Sequence, residues 1–185
     1  MNNEKRTVKP ILRSAKECAY ISTFIALIIA LQLAFSSVAG IELVTALFVA
    51  YTFVMGVIRG VVVAVCFSLV RQLVFGFFPH VLLLYLAYYT LFALGFGLLG
   101  KVVKRCKIHW KTLVVVITAC LYTVLFTLLD DMITPLWFGY TAESAKAYFL
   151  ASIPVMLPQT VCAAISTALL FIPLEKTFLY LKRKL

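Results

Sequence analysis

Charge is scarce in this sequence. Only 13% of its residues are Asp, Glu, Lys or Arg, and 64% are hydrophobic. An average soluble domain carries about a quarter charged residues. So little charge excludes a water-solvated globular surface and points to an integral membrane protein. No stretch between the hydrophobic segments is long enough to fold alone, so the 185 residues read as one unit. Histidine is nearly absent: His80 and His109 fall on opposite faces of the expected topology. The five cysteines (Cys18, Cys66, Cys106, Cys120 and Cys162) share no metal-ligand spacing. In apolar helices a free cysteine behaves as a small hydrophobe. Neither a metal set nor a Ser/His/Asp arrangement is visible, so the chain reads as non-catalytic and without a cofactor.

A nucleotide site is missing too, although the sequence imitates one. Gly95-Phe96-Gly97-Leu98-Leu99-Gly100-Lys101 fits both G-x-G-x-x-G and G-x-x-x-x-G-K. Val102 stands where a Ser or Thr would hold magnesium, and the glycines lie inside an apolar run rather than between a strand and a helix. They read as close packing against a neighbouring helix. If the chain moves anything at the expense of ATP, another subunit must bind the ATP.

What the sequence has is long apolar runs with basic flanks. A bilayer core takes ~20 apolar residues per helix. Six spans are expected, at about 15–35, 41–55, 61–78, 81–99, 112–132 and 154–173. The second is short enough to be tilted or incomplete. Gly56 and Gly60 bracket Arg59 in an expected tight turn, Pro135 is expected to close the fifth span, and 134–149 reads as irregular. Leu174–Leu185 reads as a short basic amphipathic tail. The basic start and Ser37-Val38-Ala39 imitate a secretory signal, but the apolar run is long for one and reads as a retained span. The net charge of +10 raises nucleic acid as a partner, but its placement argues against it. Of 17 Lys and Arg, 15 fall on one side of a six-span topology; Lys146 lies opposite and Arg71 within a span. That positive-inside pattern puts both termini in the cytoplasm, beside anionic lipid.

Polar groups concentrate in the outer halves of spans two to six. Arg71, with Gln72 beside it, lies within span three, where an arginine costs ~2.5 kcal/mol or more unless paired, hydrated or snorkelling. Two readings stand: a structural role, as a snorkel to the outer headgroups or a pair with Glu42 or Asp130, or a contact to an anionic group on a ligand. Glu42 opens span two, where a carboxylate suits the helix dipole. Thr45 and Thr52 share roughly its face, so that side is expected to look inward. Tyr85, Tyr89, Phe92 and Phe96 form a helical stripe on span four, with Tyr88 adjacent; Tyr122, Phe126 and Asp130 repeat it on span five. Such stripes are commonly core, yet tyrosine hydroxyls at membrane depth need partners. Gln159 adds an amide, and Trp137 and Tyr140 sit where an aromatic belt or a ligand cover would lie. Asp130 and Asp131 point ~100° apart on a helix, so they are no acid–base pair. The distribution suits an outward-opening pocket, closed below.

Ser22, Ala26, Ala30 and Ala34 recur every four residues, one stripe of small side chains on the first helix. By itself the stripe reads first as internal helix packing and second as a docking face.

Order and spacing then suggest a family. Ile41-Glu42-Leu43-Val44-Thr45 opens a short second span, and a tight turn lies at Gly56–Gly60. Span three ends Leu73-Val74-Phe75-Gly76, and span four ends Gly-rich with Lys101. The last span begins Ala151-Ser152-Ile153-Pro154 and ends Leu170-Phe171-Ile172-Pro173-Leu174. With six spans and this length, the chain resembles the substrate-binding S components of energy-coupling factor (ECF) transporters. The resemblance implies a six-helix bundle that captures a vitamin, vitamin precursor or metal ion from outside. It implies partnership with a transmembrane coupling protein and two ATPases, and a toppling of the S component that presents its cargo to the cytoplasm. The family's A-x-x-x-A docking motif maps on Ala26 and Ala30, repeated at Ala34. The resemblance implies a binding site near the outer face, built from helices four to six and the outer loops; no ligand-specific residue carries over, and the candidates there (Tyr85, Tyr88, Tyr89, Tyr122, Asp130, Trp137 and Gln159) come from the polar and aromatic pattern of the sequence. The amino terminus lacks the His-rich start of nickel and cobalt members, which argues for an organic cargo.

The expected function is therefore capture of a small, vitamin-like molecule with an aromatic or conjugated ring, in a bacterial cytoplasmic membrane. Arg71 hints at an anionic group on it. The alternative is a structural subunit of a cell-envelope complex with no small ligand; a stand-alone carrier is a minor third reading, because no ion relay is visible in the inner halves.

Overall fold

The computed structural model describes residues 15–35, 43–103 and 105–185. Among them every regular element is an α-helix. The helices are α1 (Ala15–Ala34), α2 (Leu43–Met55), α3 (Val57–Phe75), α4 (Pro79–Val103), α5 (Ile108–Phe138) and α6 (Ala142–Lys184). Five are apolar and long enough to cross a bilayer; α2, with 13 residues, rises only about 20 Å. This is a membrane protein. Its outward surface agrees: Leu73, Val102, Leu136 and Leu169 are 70% exposed or more, a surface that only lipid would cover without penalty.

The short helix is the centre of the molecule. Every residue from Val44 to Met55 is buried, and α2 touches each of the other five helices. The sequence Leu-Val-Thr-Ala-Leu-Phe-Val-Ala-Tyr-Thr-Phe-Val-Met is apolar all round, as a helix surrounded by protein must be. The expectation that one face looks inward is thus replaced by burial of every face. Thr52 satisfies its hydroxyl by donating back to Phe48 O at 2.7 Å. Around α2 the core is aromatic. Phe48 packs against Phe24, Phe67, Tyr89 and Phe92, and Tyr51 packs against Tyr20, Phe24 and Phe178.

The helix ends differ from the sequence expectation where glycine and proline were taken as breaks. The turn expected over Gly56–Gly60 is one residue wide. Gly56 takes φ 91°, and α3 begins at Val57 with Arg59 and Gly60 already helical. Pro135 does not close α5. It lies in the last turn, and the helix ends at Gly139, whose left-handed φ of 64° is cheap only for glycine. The stretch read as irregular is helical on both sides of the turn at 139–141. Thr141 caps α6, accepting from Ser144 N at 3.3 Å. From there α6 runs 43 residues through Pro154, Pro158 and Pro173, so 174–184 is helix, not a separate tail. Prolines persist in membrane helices because neighbouring helices and hydroxyl side chains satisfy the freed carbonyls; Thr177 Oγ1 donates to Pro173 O at 3.0 Å.

The glycines of α4 do what the sequence suggests. A Cβ on Gly100 would lie 2.2 Å from Phe53 O, and one on Gly97 would lie 2.7 Å from Val57 N. Backbone meets backbone here, and the nucleotide-like pattern is a packing seam between α4 and the α2–α3 junction.

Polar contacts pin the end of the bundle that carries most basic residues. Arg59 Nε donates to Glu17 Oε1 at 2.5 Å, joining α3 to α1. Lys111 Nζ reaches both oxygens of Glu175 at 2.6 and 2.8 Å, joining α5 to α6. Lys182 Nζ donates to Val54 O, near the carboxyl end of α2, where a cation also suits the helix dipole. None of these pairings was read from the sequence, where the lysines and arginines served only as topology signals.

Candidate functional site

The residues expected to form one site divide between two places. The first lies where α1, α3 and α4 meet. The Arg71 guanidinium carbon sits 4.1 Å from the centre of the Tyr85 ring and 4.8 Å from that of Phe75. Gln32 of α1 donates to the Tyr85 hydroxyl at 3.3 Å. Among the described residues no ion pair joins Arg71 to Asp130, so that expected pairing is not made. Arg71 is held by ring faces instead, and its Nε has no hydrogen-bond partner there. Glu42, the other expected partner and a candidate ligand residue, lies outside the described residues.

Gln72 is 2% exposed and works on its own chain. With the amide oriented to satisfy both ends, its nitrogen donates to Gly76 O at 2.7 Å and its oxygen accepts from Leu82 N at 3.1 Å. It ties together the α3–α4 turn. Gly76 (φ 100°) makes that turn, and Pro79 starts α4.

Tyr85, Tyr88 and Tyr89 are all buried within the aromatic core. Tyr88 packs against Phe92, Tyr122 and Phe126, and Tyr89 against Phe48 and Phe67. Tyr122 reaches across to α4. Its hydroxyl donates to Leu91 O at 3.1 Å, over the space left by Gly95. These four tyrosines join α4 to its neighbours.

The second place is a groove of about 390 Å³ between α5 and α6. Phe126, Thr127 and Asp130 line it from α5, and Tyr148, Ser152, Val155 and Gln159 are among its α6 lining. The volume is near the low end for small-molecule sites, which run ~300–1,000 Å³. Asp130 is fixed from both sides: Oδ1 accepts from Thr134 Oγ1 at 2.8 Å, and Oδ2 accepts from the Tyr148 hydroxyl at 2.8 Å. Asp131, beside it, accepts from Ser152 Oγ at 2.7 Å through Oδ2. So the two aspartates are more than carboxylates at a membrane boundary: each fastens α5 to α6.

Of the expected site residues that are described, only Asp130 and Gln159 line this groove. Trp137 stands 52% exposed near the end of α5, its ring 6.3 Å from that of His80. Tyr148 and Ser152 were missed. They lie one helical turn apart on α6, and Gln159 follows seven residues after Ser152, a helical face legible once 142–159 is read as helix.

The stripe on α1 faces outward. Ile21, Phe24, Ile25, Ile28 and Ile29 are buried against the bundle, while Ser22, Ala26, Ala30 and Ala34 are all exposed. Internal packing, the first reading from sequence, is therefore not its use within this chain. α1 lies at the edge of the bundle: its backbone approaches α2 and α3, and it reaches α4 and α6 through the side chains of Gln32 and Phe24.

No protein-family model, curated protein or solved structure matches the chain.

Proposed function

We propose that this protein is the substrate-capture subunit of an ATP-driven importer of the ECF type. In this reading all six helices cross the bacterial cytoplasmic membrane, with both termini and the basic end inside. The short α2 crosses through protein rather than lipid. A small organic micronutrient enters from outside, and a membrane coupling protein with two ATPases drives its release inward.

The observation that carries the reading is the outward stripe Ser22, Ala26, Ala30 and Ala34 on an edge helix. Lipid gives apolar helices little reason to associate, and small side chains let backbones approach closely enough for packing to hold them. The groove between α5 and α6 supplies room for a small ligand. The failed nucleotide pattern supports an ATPase located on other subunits.

The test is Ala26→Trp and Ala30→Trp in cells that express the complete importer. Uptake and co-purification of the coupling module are expected to fall at least tenfold while small-molecule binding by the isolated subunit persists. Undiminished assembly and uptake would sink the docking assignment. If gentle purification of the wild type brings down neither small molecule nor ATPase, the scaffold reading replaces this one.

A further inference from the structure

The groove between α5 and α6 has a charge of one sign. Among the described residues, Asp130 is its only ionisable group apart from the Tyr148 phenol, and no Lys or Arg lines it. Asp131, next in sequence, adds a second carboxylate, which accepts from Ser152 of the groove lining. The ion pairs among the described residues are Glu17–Arg59 and Lys111–Glu175, so neither aspartate is neutralised by a basic side chain. Asp131 Oδ1 is buried and finds no donor. Thr134 and Tyr148 each donate one hydroxyl to Asp130, an arrangement that holds a carboxylate in place and leaves lone pairs on both oxygens. The one arginine at membrane depth is spent elsewhere. Arg71 lies on Tyr85, and Tyr85 packs edge-on against Phe126, so Arg71 stands behind two rings from the groove. A carboxylate in a groove with no basic side chain among its described lining is complementary to a positive group.

We propose that this groove binds a small organic cation. Its protonated or quaternary nitrogen sits at the Asp130 carboxylate, its flat apolar part lies along Phe126 and Val155, and Gln159 meets a polar group on it. This reverses the sign of cargo that Arg71 suggests from sequence. Tyr148 and Thr134 are positioning residues: they orient Asp130. The assignment of the cation as transported cargo rests on the capture-subunit reading. Its recognition by the groove does not, because a cationic lipid headgroup carries the same chemistry.

The experiment is calorimetric titration of the whole chain in nanodiscs of phosphatidylglycerol, with benzyltrimethylammonium and benzylammonium as probes and benzoate as the matched anion. Both cations are expected to bind and benzoate is not. Asp130→Asn is expected to weaken both cations about tenfold or more, as loss of the opposite charge does for an ammonium and for a quaternary nitrogen that donates no hydrogen bond. Val155→Trp keeps the falsification independent of that variant's folding. Val155 is 58% exposed, so the bundle tolerates a larger side chain there while the indole fills the groove; binding should fall by a similar factor. Failure of both cations to bind, equal binding of benzoate, or indifference to both substitutions overturns the proposal. Replacing half the lipid by phosphatidylethanolamine separates the sources. Unchanged affinity supports a free cargo; loss of the probes to lipid competition overturns cargo while cation recognition stands. Cation binding that survives alongside unimpaired assembly of Ala26→Trp removes the importer reading and leaves the groove assignment intact.

Discussion

Arg59 Nε and Glu17 Oε1 meet at 2.5 Å and tie the first turn of α3 to the first turn of α1. Glu17 is 7% exposed, and α1 lies at the edge of the bundle, with its main backbone-level packing on α2 and α3, so this pair helps to anchor it. Removing one partner strands a largely desolvated charge. Glu17→Leu is expected to cost about 2 kcal/mol, below the range for fully buried pairs because the Arg59 side chain is 25% exposed. The double variant Glu17→Leu/Arg59→Leu should recover most of the loss. Thermal unfolding in detergent checks both; an additive double variant would show that the residues are not coupled.

Gly100 and Gly95 should separate a packing seam from a soft contact. A methyl at Gly100 meets the Phe53 carbonyl, which cannot move without α2, whereas one at Gly95 meets the Tyr122 hydroxyl at the end of a side chain. Gly100→Ala is expected to destabilise by about 2–3 kcal/mol, as overpacking of a tight core does. Gly95→Ala should lose less, mainly the hydrogen bond from Tyr122 to Leu91. Equal stability of the two variants by denaturant titration would contradict the seam.

Arg71 should prove structural. Its guanidinium lies on Tyr85 and Phe75, so Arg71→Gln is expected to lower stability by about 1–2 kcal/mol, the worth of desolvated cation–π contacts. Affinity for the probe cations should stay within about twofold. A large loss of affinity in a folded Arg71→Gln protein would return Arg71 to the binding site.

The last turns of α6 belong to the core. Phe178 meets Phe24 at 5.6 Å and Tyr51 at 5.7 Å, both edge to face. Phe178→Ala is expected to cost about 2 kcal/mol, less than in a soluble core, because lipid rather than water receives the displaced apolar groups. Truncation before Thr177 should lower the unfolding temperature further, since it also removes the Lys182 contact to α2. A dispensable tail would leave both measurements unchanged.

The helices were legible in the sequence because apolar length is a local property, as were the α4 glycines as packing residues. Boundaries were misplaced where Pro135, Pro154 and Gly60 were read as breaks. In a bundle, neighbouring helices complete what proline leaves open, and glycine in a helix can mark close approach instead of an end. The site was less legible. Arg71, Gln72 and the α4 tyrosines drew attention as polar groups among apolar ones, and each is accounted for by rings or backbone nearby. Tyr148 and Ser152 passed unnoticed because their helix was not foreseen.

The stripe of small residues on α1 and the run of glycines in α4 are fixed by the order of side chains, since each depends on spacing along one segment. Which way the stripe faces was settled only when Ile21, Ile25 and Ile28 took the buried side of α1. Likewise, only packing made the shortest helix the centre and put Asp130 opposite Tyr148. Contacts between residues far apart in the chain have no periodicity to read. They arise when the apolar faces are buried together and each remaining polar group has to find a partner.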